Sequence, residues 1–322
     1  MLTYDLKVGY ACNNKCKHCV IDDSKDRLID QKENINLTTE ECFSQIDEMV
    51  AKGIRNIILT GGEVTIRKDF KELIDKCVKH GLAITIQTNG RKLQSQYVVE
   101  SIKDVENIRF VVALHGESDE VHDYITQVNG SFRETCDSIK KICQLGKLVV
   151  IKVLISKINI KELPGIVKLV SSLGAKYICF AFPHGHGAAR KNFKEVIPTY
   201  TELGPYLKDL VKESIKENIK IELEAIPFCR VSYAMQLVGE LKYYNGDTLC
   251  THVKEDTFDW STVRKSIKKK GELCKDCDMD EFCEGVWEEY ADAFGTEELR
   301  PIRFPGDIRR DIINRIKRGI GR

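Results

Sequence analysis

The sequence predicts an α/β fold built on a parallel sheet, and three observations carry that prediction. Apolar, β-rich runs alternate with amphipathic helical stretches through the first half of the chain. Helical stretches close on glycines at Gly53, Gly81, Gly146 and Gly174. The residues most suited to chemistry gather where strands end, as a parallel α/β sheet requires.

Tyr4–Tyr10 reads as the first strand. A helix over Thr39–Lys52 enters through Thr38-Thr39, with Glu40 and Glu41 complementing its first turn. Asn56–Thr60 is a strand, Lys68–His80 a helix and Ala83–Thr88 a strand. Asn107–Leu114 is strongly β, and Ser131–Leu145 is helical. Leu148–Ile155, Ile160–Leu173 and Tyr177–Phe182 read as strand, helix and strand. Six βα-type units follow, with right-handed crossovers. After Pro183-His-Gly-His-Gly187 the pattern changes, with a helix over Tyr200–Glu217, a strand over Lys220–Ala225 and a less regular charged segment. A boundary is expected near residue 190, giving a first domain over 1–190, a connecting helix and strand over 191–228, and a third segment over 229–322.

The 322 residues suit a large domain with an appendage, and 42% apolar content is ample for a core. A net charge of +1 gives no bulk attraction to nucleic acid or membrane, so neither is an expected partner. No signal peptide precedes the first strand and no run of apolar residues is long enough to span a bilayer. Thirteen cysteines without a signal imply reduced, metal-bound thiols in the cytoplasm.

The densest group is Cys12-Asn-Asn-Lys-Cys16-Lys-His-Cys19. Three thiolates at this spacing can hold three corners of a four-iron cluster and leave one iron open. Zinc is the competing reading, with His18 as a nitrogen ligand, but His18 is adjacent to Cys19 and no second pair lies nearby. A second motif, Gly61-Gly62-Glu63, ends the strand Asn56–Thr60. Its glycines tolerate close backbone approach and its carboxylate can accept bonds from an ammonium group.

Together these motifs resemble the radical S-adenosylmethionine enzymes, and Thr88-Asn89-Gly90 and Asp123–Phe132 match further. The resemblance implies a partial (β/α)6 TIM-like barrel with chemistry at the C-terminal ends of its strands. It implies that Cys12, Cys16 and Cys19 hold a [4Fe-4S] cluster. Gly61, Gly62 and Glu63 would lie against the methionine part of S-adenosyl-L-methionine, with Glu63 on its amino group. Thr88, Asn89, His115, Lys157 and Asn159 stand at strand ends where the family contacts ribose and carboxylate. His115 departs from the serine, threonine or aspartate expected there. Ribose contact, substrate contact and a satisfied core histidine all stay open for it.

Cys229, Cys274, Cys277 and Cys283 resemble the core of the SPASM and Twitch extensions, which carry auxiliary four-iron clusters. The further cysteine expected after Cys283 is missing; Gly285-Val286-Trp287 stands there. One auxiliary cluster is the expected count, making two [4Fe-4S] clusters in all, with a closed zinc site as the alternative. Cys250 competes for the fourth position. Cys229 is preferred because Pro227-Phe228-Cys229 after a strand is a rigid perch, whereas Cys250 reads as part of a polar loop. A free Cys250 is then a candidate hydrogen-atom donor. Cys42, Cys77, Cys136, Cys143 and Cys179 read as small core hydrophobes. His184-Gly-His186 reads as a flexible loop over the cofactor, with no third metal ligand nearby. The basic tail, Arg309, Arg310, Arg315, Lys317, Arg318 and Arg322, reads as a solvated helix face.

The resemblance implies reductive cleavage of S-adenosylmethionine and hydrogen-atom abstraction from a substrate C–H bond. A peptide is the expected substrate, with epimerisation, crosslinking or oxidation as outcomes. A small-molecule epimerase or dehydrogenase acting on a sugar is the rival, and an iron–sulfur carrier or zinc adaptor the non-catalytic alternative. A flavodoxin or ferredoxin is the expected electron donor. The chain begins at its first strand, so a leader-binding module is expected to be absent or supplied by a separate protein.

Overall fold

The structure, a computed structural model, describes residues 2–243 and 248–320. Nine strands form one sheet: β1 (Thr3–Lys7), β2 (Asn56–Thr60), β3 (Ala83–Thr88), β4 (Ile108–Ala113), β5 (Leu148–Leu154), β6 (Tyr177–Ala181), β7 (Lys220–Glu224), β8 (Thr248–Thr251) and β9 (Phe258–Asp259). Their order is β7-β6-β5-β4-β3-β2-β1-β8-β9, and every pairing is parallel except β8 with β9. The six expected strands are the consecutive centre of this sheet, joined by helices such as Thr39–Ala51, Phe70–Lys79, Ser131–Gln144 and Leu163–Ser172.

Local chemistry explains these elements. Thr38 accepts from the Glu41 amide while Glu41 reaches back to the Thr38 amide, a capping box at the start of Thr39–Ala51. Thr199 and Glu202 repeat it at the helix Tyr200–Lys216. Along the strands, side chains alternate between two faces. Tyr4, Leu6, Ile57, Leu59, Ile84, Ile86, Phe110, Val112, Ile151 and Val153 are buried on the helix-covered face. Tyr4 marks that face by donating its hydroxyl to Gln45 of the first of these helices, at 2.9 Å.

The opposite face is polar and concave. Parallel partners in register share a face, which sets Asp5 beside Ile58 and Cys250, and Lys152 beside Cys179 and Glu222. Lys152 of β5 makes an ion pair with Glu224 of β7 across the intervening β6, so the sheet curves toward this side. This concave sheet with helices outside is the expected partial barrel.

Two expectations change here. The boundary near residue 190 does not divide the sheet: β7 pairs with β6, and β8 pairs with β1. The segment expected to connect two domains therefore adds β7 to one edge of the barrel, and the third segment adds β8 at the other. Cys250 does not lie in an exposed loop. It sits within β8, only 4% exposed, opposite Asp5 and 4.0 Å from the Lys7 ammonium. The reason is that Thr248–Thr251 pairs with the free edge of β1, so its backbone finds partners no local pattern announces. Burial pushes the Cys250 thiol up to about 12. That burial departs from the solvent-reachable position expected of a hydrogen-atom donor.

Beyond the sheet, a two-stranded ribbon pairs Lys268–Lys269 with Val286–Trp287, followed by the helices Glu288–Phe294 and Gly306–Ile320. Arg309 pairs with Asp278 and Lys317 with Glu281, so part of the basic tail docks on the cysteine-bearing segment. Arg322 lies outside the described residues. No helix among the described residues is long and apolar enough to cross a membrane.

Candidate active site

The loop carrying Cys12, Cys16 and Cys19 leaves the C-terminal end of β1 and is pinned from several sides. The Lys15 and Lys17 amides donate to Thr126 and Ile125 of the helix Asp119–Thr126, at 3.0 Å each. The Ala188 amide donates to the Cys19 carbonyl at 2.8 Å, and the Asn192 amide side chain to the Lys17 carbonyl at 3.0 Å. A turn from the Cys19 amide to the Cys16 carbonyl sets the last two thiols on one side. The Asn14 amide donates to the Cys12 sulfur at 3.4 Å.

All three cysteines line one cavity of about 410 Å³, together with Tyr10, Lys25, Gln127 and Lys191. Burial and then the neighbouring Cys19 and Cys12 push the Cys16 thiol up, and burial pushes Cys19 up to about 11. Thiols grouped this way keep their protons until a cation takes their place. His18 does not line the cavity. It packs edge-on against His115, with ring centroids 4.5 Å apart. That removes the nitrogen on which the zinc reading depended.

The Gly-Gly-Glu segment lies directly against this loop. A Cβ on Gly61 would meet the Gly9 carbonyl oxygen at 2.1 Å, and one on Gly62 the Ala11 carbonyl oxygen at 2.2 Å. The Gly62 and Glu63 amides donate to those two oxygens at 2.7 and 2.9 Å. Two glycines are thus needed for β2 to close on the strand that feeds Cys12.

Glu63 is 3% exposed and both its oxygens are engaged. Oε1 accepts from the Thr65 amide at 3.0 Å and from the Thr65 and Thr88 hydroxyls at 2.6 Å each. Oε2 accepts from the Asn89 amide at 2.7 Å. The carboxylate therefore organises the ends of β2 and β3, a role the sequence reading did not assign. A bound ammonium would share these oxygens with protein donors.

Thr88 also accepts from the Gly90 amide at 3.0 Å. Asn89 donates its side-chain amide to Asn13 Oδ1 at 2.7 Å, beside Cys12. Asn13 Nδ2 is buried without a partner. An orphaned donor between the cysteine loop and β3 fits an acceptor-rich cofactor here.

The other predicted contacts separate. Asn159 is fully buried and its amide is spent: Oδ1 accepts from the Ser156 amide and hydroxyl, and Nδ2 donates to the His115 and Leu154 carbonyls. It ties the end of β4 to the end of β5 and offers a cofactor nothing, which corrects its expected role. Lys157 is partly exposed, 3.8 Å from Glu202, and stands on the barrel rim. His115 is buried, accepts from the Leu154 amide, stacks on His122 and meets His18 edge-on. Burial, reinforced by His18 and His122, holds it well below the usual histidine range. Of its three readings, the packed core histidine describes these contacts.

Asp123 of the Asp123–Phe132 motif accepts from the Gly130 and Phe132 amides and the Ser131 hydroxyl. It holds the start of Ser131–Gln144, while Gln127 turns into the cysteine cavity.

Cys229, Cys274, Cys277 and Cys283 line a second, closed pocket with Lys270, Met279, Gly285 and Arg300. Local turns aim the thiols: the Cys274 amide bonds the Gly271 carbonyl, Cys277 bonds Cys274, and Cys283 bonds Met279. The Ile302 amide donates to the Cys277 sulfur at 3.2 Å. Burial and then Cys229 push Cys283 up to about 11. Cys250 is not among these residues.

Two further expectations fail. Cys179 is no apolar filler: Lys152 donates to its sulfur at 3.3 Å, and the thiol donates to Glu224 at 3.4 Å. It faces the concave side because Tyr177–Ala181 is the sixth strand, whose alternation puts Ile178 and Phe180 against the helices. His184 and His186 do have a third neighbour, Glu289, from the C-terminal part of the chain.

Residues 6–170 match the radical SAM superfamily. The chain belongs to that superfamily. The family implies S-adenosylmethionine and a four-iron cluster as cofactors. A mycofactocin maturase of Mycobacterium tuberculosis is 30% identical over 175 residues, 54% of this chain and 42% of that one. An AdoMet-dependent heme synthase of Methanosarcina barkeri is 28% identical over 228 residues, 70% of this chain and 61% of that one. The antilisterial bacteriocin subtilosin biosynthesis protein of Bacillus subtilis is 26% identical over 185 residues, 57% and 40% of the two chains. The chain spans about half the length of the curated relatives it matches. Among solved structures, Streptococcus suis SuiB bound to its precursor peptide superposes with a TM-score of 0.65 at 14% identity, over 93% of this chain and 74% of that one. This last likeness is one of fold.

Proposed function

We propose that this radical SAM chain is a peptide-modifying enzyme with two four-iron clusters. Cys12, Cys16 and Cys19 would hold the cluster that engages S-adenosylmethionine, and Cys229, Cys274, Cys277 and Cys283 an auxiliary one. The observation that carries the reading is the pairing of an open three-thiol cavity against Gly61-Gly62-Glu63 with a separate, closed four-thiol pocket. Three protein donors leave a coordination position free; four do not.

Bound cluster and cofactor supply one-electron reductive cleavage and abstraction of a hydrogen atom from carbon. The chain's own contribution is placement and exclusion of water. Glu63 fixes the Asn89 backbone, and Asn89 fixes Asn13 beside Cys12. Gly61 and Gly62 let the end of β2 close on the backbone that leads into Cys12. Thr88 is held by Glu63 and has no freedom to rotate away.

The peptide substrate rests on relatives: the mycofactocin maturase, the subtilosin biosynthesis protein, and SuiB with its precursor peptide. A small-molecule substrate is the second reading, favoured by the heme synthase, whose match covers more of both chains than do those of the mycofactocin maturase and the subtilosin biosynthesis protein. A flavodoxin or ferredoxin in the cytoplasm would deliver the electron, and a separate protein could present a leader peptide. The test is anaerobic reduction of reconstituted protein with S-adenosylmethionine. Formation of 5′-deoxyadenosine supports the reading. Its absence at full iron loading supports a carrier instead.

A further inference from the structure

Outside the two thiol pockets, one group of metal-ligating side chains joins the barrel to the C-terminal part of the chain. His184 and His186 come from the loop after β6, and Glu289 from the helix Glu288–Phe294. His184 Nδ1 lies 3.3 Å from Glu289 Oε1, and His186 Nε2 touches the same oxygen. The three ligand atoms lie within 4.8 Å of one another. Donors sharing one zinc-class ion stand about 3–4 Å apart, given bonds of about 2.0–2.2 Å. A small rotation of His186, which is half exposed, closes the set.

The surroundings are built for this approach. A Cβ on Gly185 would meet Glu289 Cβ at 2.7 Å, so the loop reaches the helix only because that position is glycine. Gly187 has φ +59, and a Cβ there would meet the Cys19 carbonyl oxygen at 2.2 Å. The loop is thereby pressed between the cysteine loop and the C-terminal helix. Trp287 packs on the His184 ring with centroids 3.7 Å apart and fixes its plane.

Two atoms of the group are buried without hydrogen-bond partners: His184 Nδ1 and Glu289 Oε2. A simple histidine–glutamate contact leaves that demand unmet, and a cation between them meets it. Lys268 is a nearby cation, with its ammonium 4.2 Å from the centroid of the Trp287 ring. Its charge is matched by Glu240 at 3.5 Å and Glu284 at 3.2 Å.

We propose that His184, His186 and Glu289 form a third metal site that takes one divalent first-row ion of the zinc or manganese class. Two imidazoles and a carboxylate suit such ions, whereas the thiol pockets suit iron–sulfur clusters. Two ligands belong to the loop that covers Cys19 and the third to the C-terminal helix. The ion therefore clamps the C-terminal part onto the rim of the cysteine cavity.

The test compares cluster-loaded, full-length wild type with the H186A/E289Q double variant. Both are dialysed anaerobically against micromolar zinc(II), and iron and zinc are counted in the same samples. Zinc held by stray thiols cancels in the difference. The expected result is one more zinc per chain in wild type at equal iron. Manganese(II), which avoids thiols, gives a second readout: wild type should quench the paramagnetic signal of one equivalent and the variant should not. E289Q alone keeps the shape of the contact and should weaken binding at least about tenfold. H252A, which alters a histidine outside the group, should bind as wild type does. Equal zinc in wild type and the double variant, or unchanged affinity in E289Q, overturns the proposal.

Discussion

The two cysteine pockets solve opposite problems with the same side chain. The N-terminal loop has three thiols, and backbone bonds from distant elements, at Thr126, Ile125 and Ala188, hold it open above the strands. The C-terminal pocket has four thiols, and its Cys274, Cys277 and Cys283 are aimed by turns only a few residues long. One site depends on the whole barrel for its shape; in the other, local turns set three thiols and the chain leaving β7 brings the fourth, Cys229. The difference teaches that an open coordination position needs support from tertiary structure, because fewer ligands hold the group itself.

Breaking each pocket should give the largest contrast. Cys16→Ala is expected to abolish 5′-deoxyadenosine formation, because the central thiol is lost from a site with none to spare. Cys277→Ala should remove the auxiliary iron yet leave cleavage of S-adenosylmethionine measurable by chromatography. Equal loss of activity in both variants would erase the distinction between the pockets.

Glu63→Ala comes next. Four donors lose one carboxylate, and Thr88 and Asn89 lose their anchor. A hydrogen bond to a charged group contributes about 1.5–3 kcal/mol, so cofactor affinity should fall at least tenfold by calorimetry. Gly62→Ala probes the same dependence on the barrel. Its Cβ would meet the Ala11 carbonyl, so a backbone shift costing about 1–3 kcal/mol is expected in denaturant unfolding. Gly53→Ala, with open space around it but φ +85, should cost only about 1 kcal/mol.

A pH dependence lies behind the N-terminal loop. Burial holds His122 down at about 4 from an ordinary 6.5. The unfolded chain then binds more protons between those values, so stability is full above pH 6.5 and falls as pH drops toward 4. The loss from this residue is roughly 3 kcal/mol. His122→Gln should flatten that part of a pH series of melting temperatures; an unchanged slope would assign it elsewhere.

Much of this was legible in the chain because its signals are local. The spacing of Cys12, Cys16 and Cys19 lies within one loop, and the six central strands announce themselves by apolar runs that bury one face. Thr248–Thr251 did not, being four residues of mixed polarity whose partner, β1, is far away in sequence. Cys179 misled because a thiol between apolar neighbours looks like core, and only the strand's facing shows Lys152 and Glu224 beside it. Glu63 was seen as a ligand, but two of its four internal donors, the Thr88 hydroxyl and the Asn89 amide, stand at the end of β3 and meet it only in the fold. Glu289 could not be paired with His184 and His186 until the C-terminal helix was placed against the barrel.

The central claim is that only the three-thiol site engages the cofactor. The direct measurement is electron paramagnetic resonance of the reduced, iron-loaded protein as S-adenosylmethionine is added, in wild type and in the Cys12/Cys16/Cys19→Ala variant. The account predicts a cofactor-dependent change of one signal component in wild type and a remaining, unresponsive signal in the variant. A signal from the variant that still shifts with S-adenosylmethionine would place the cofactor at the C-terminal thiols and contradict the account.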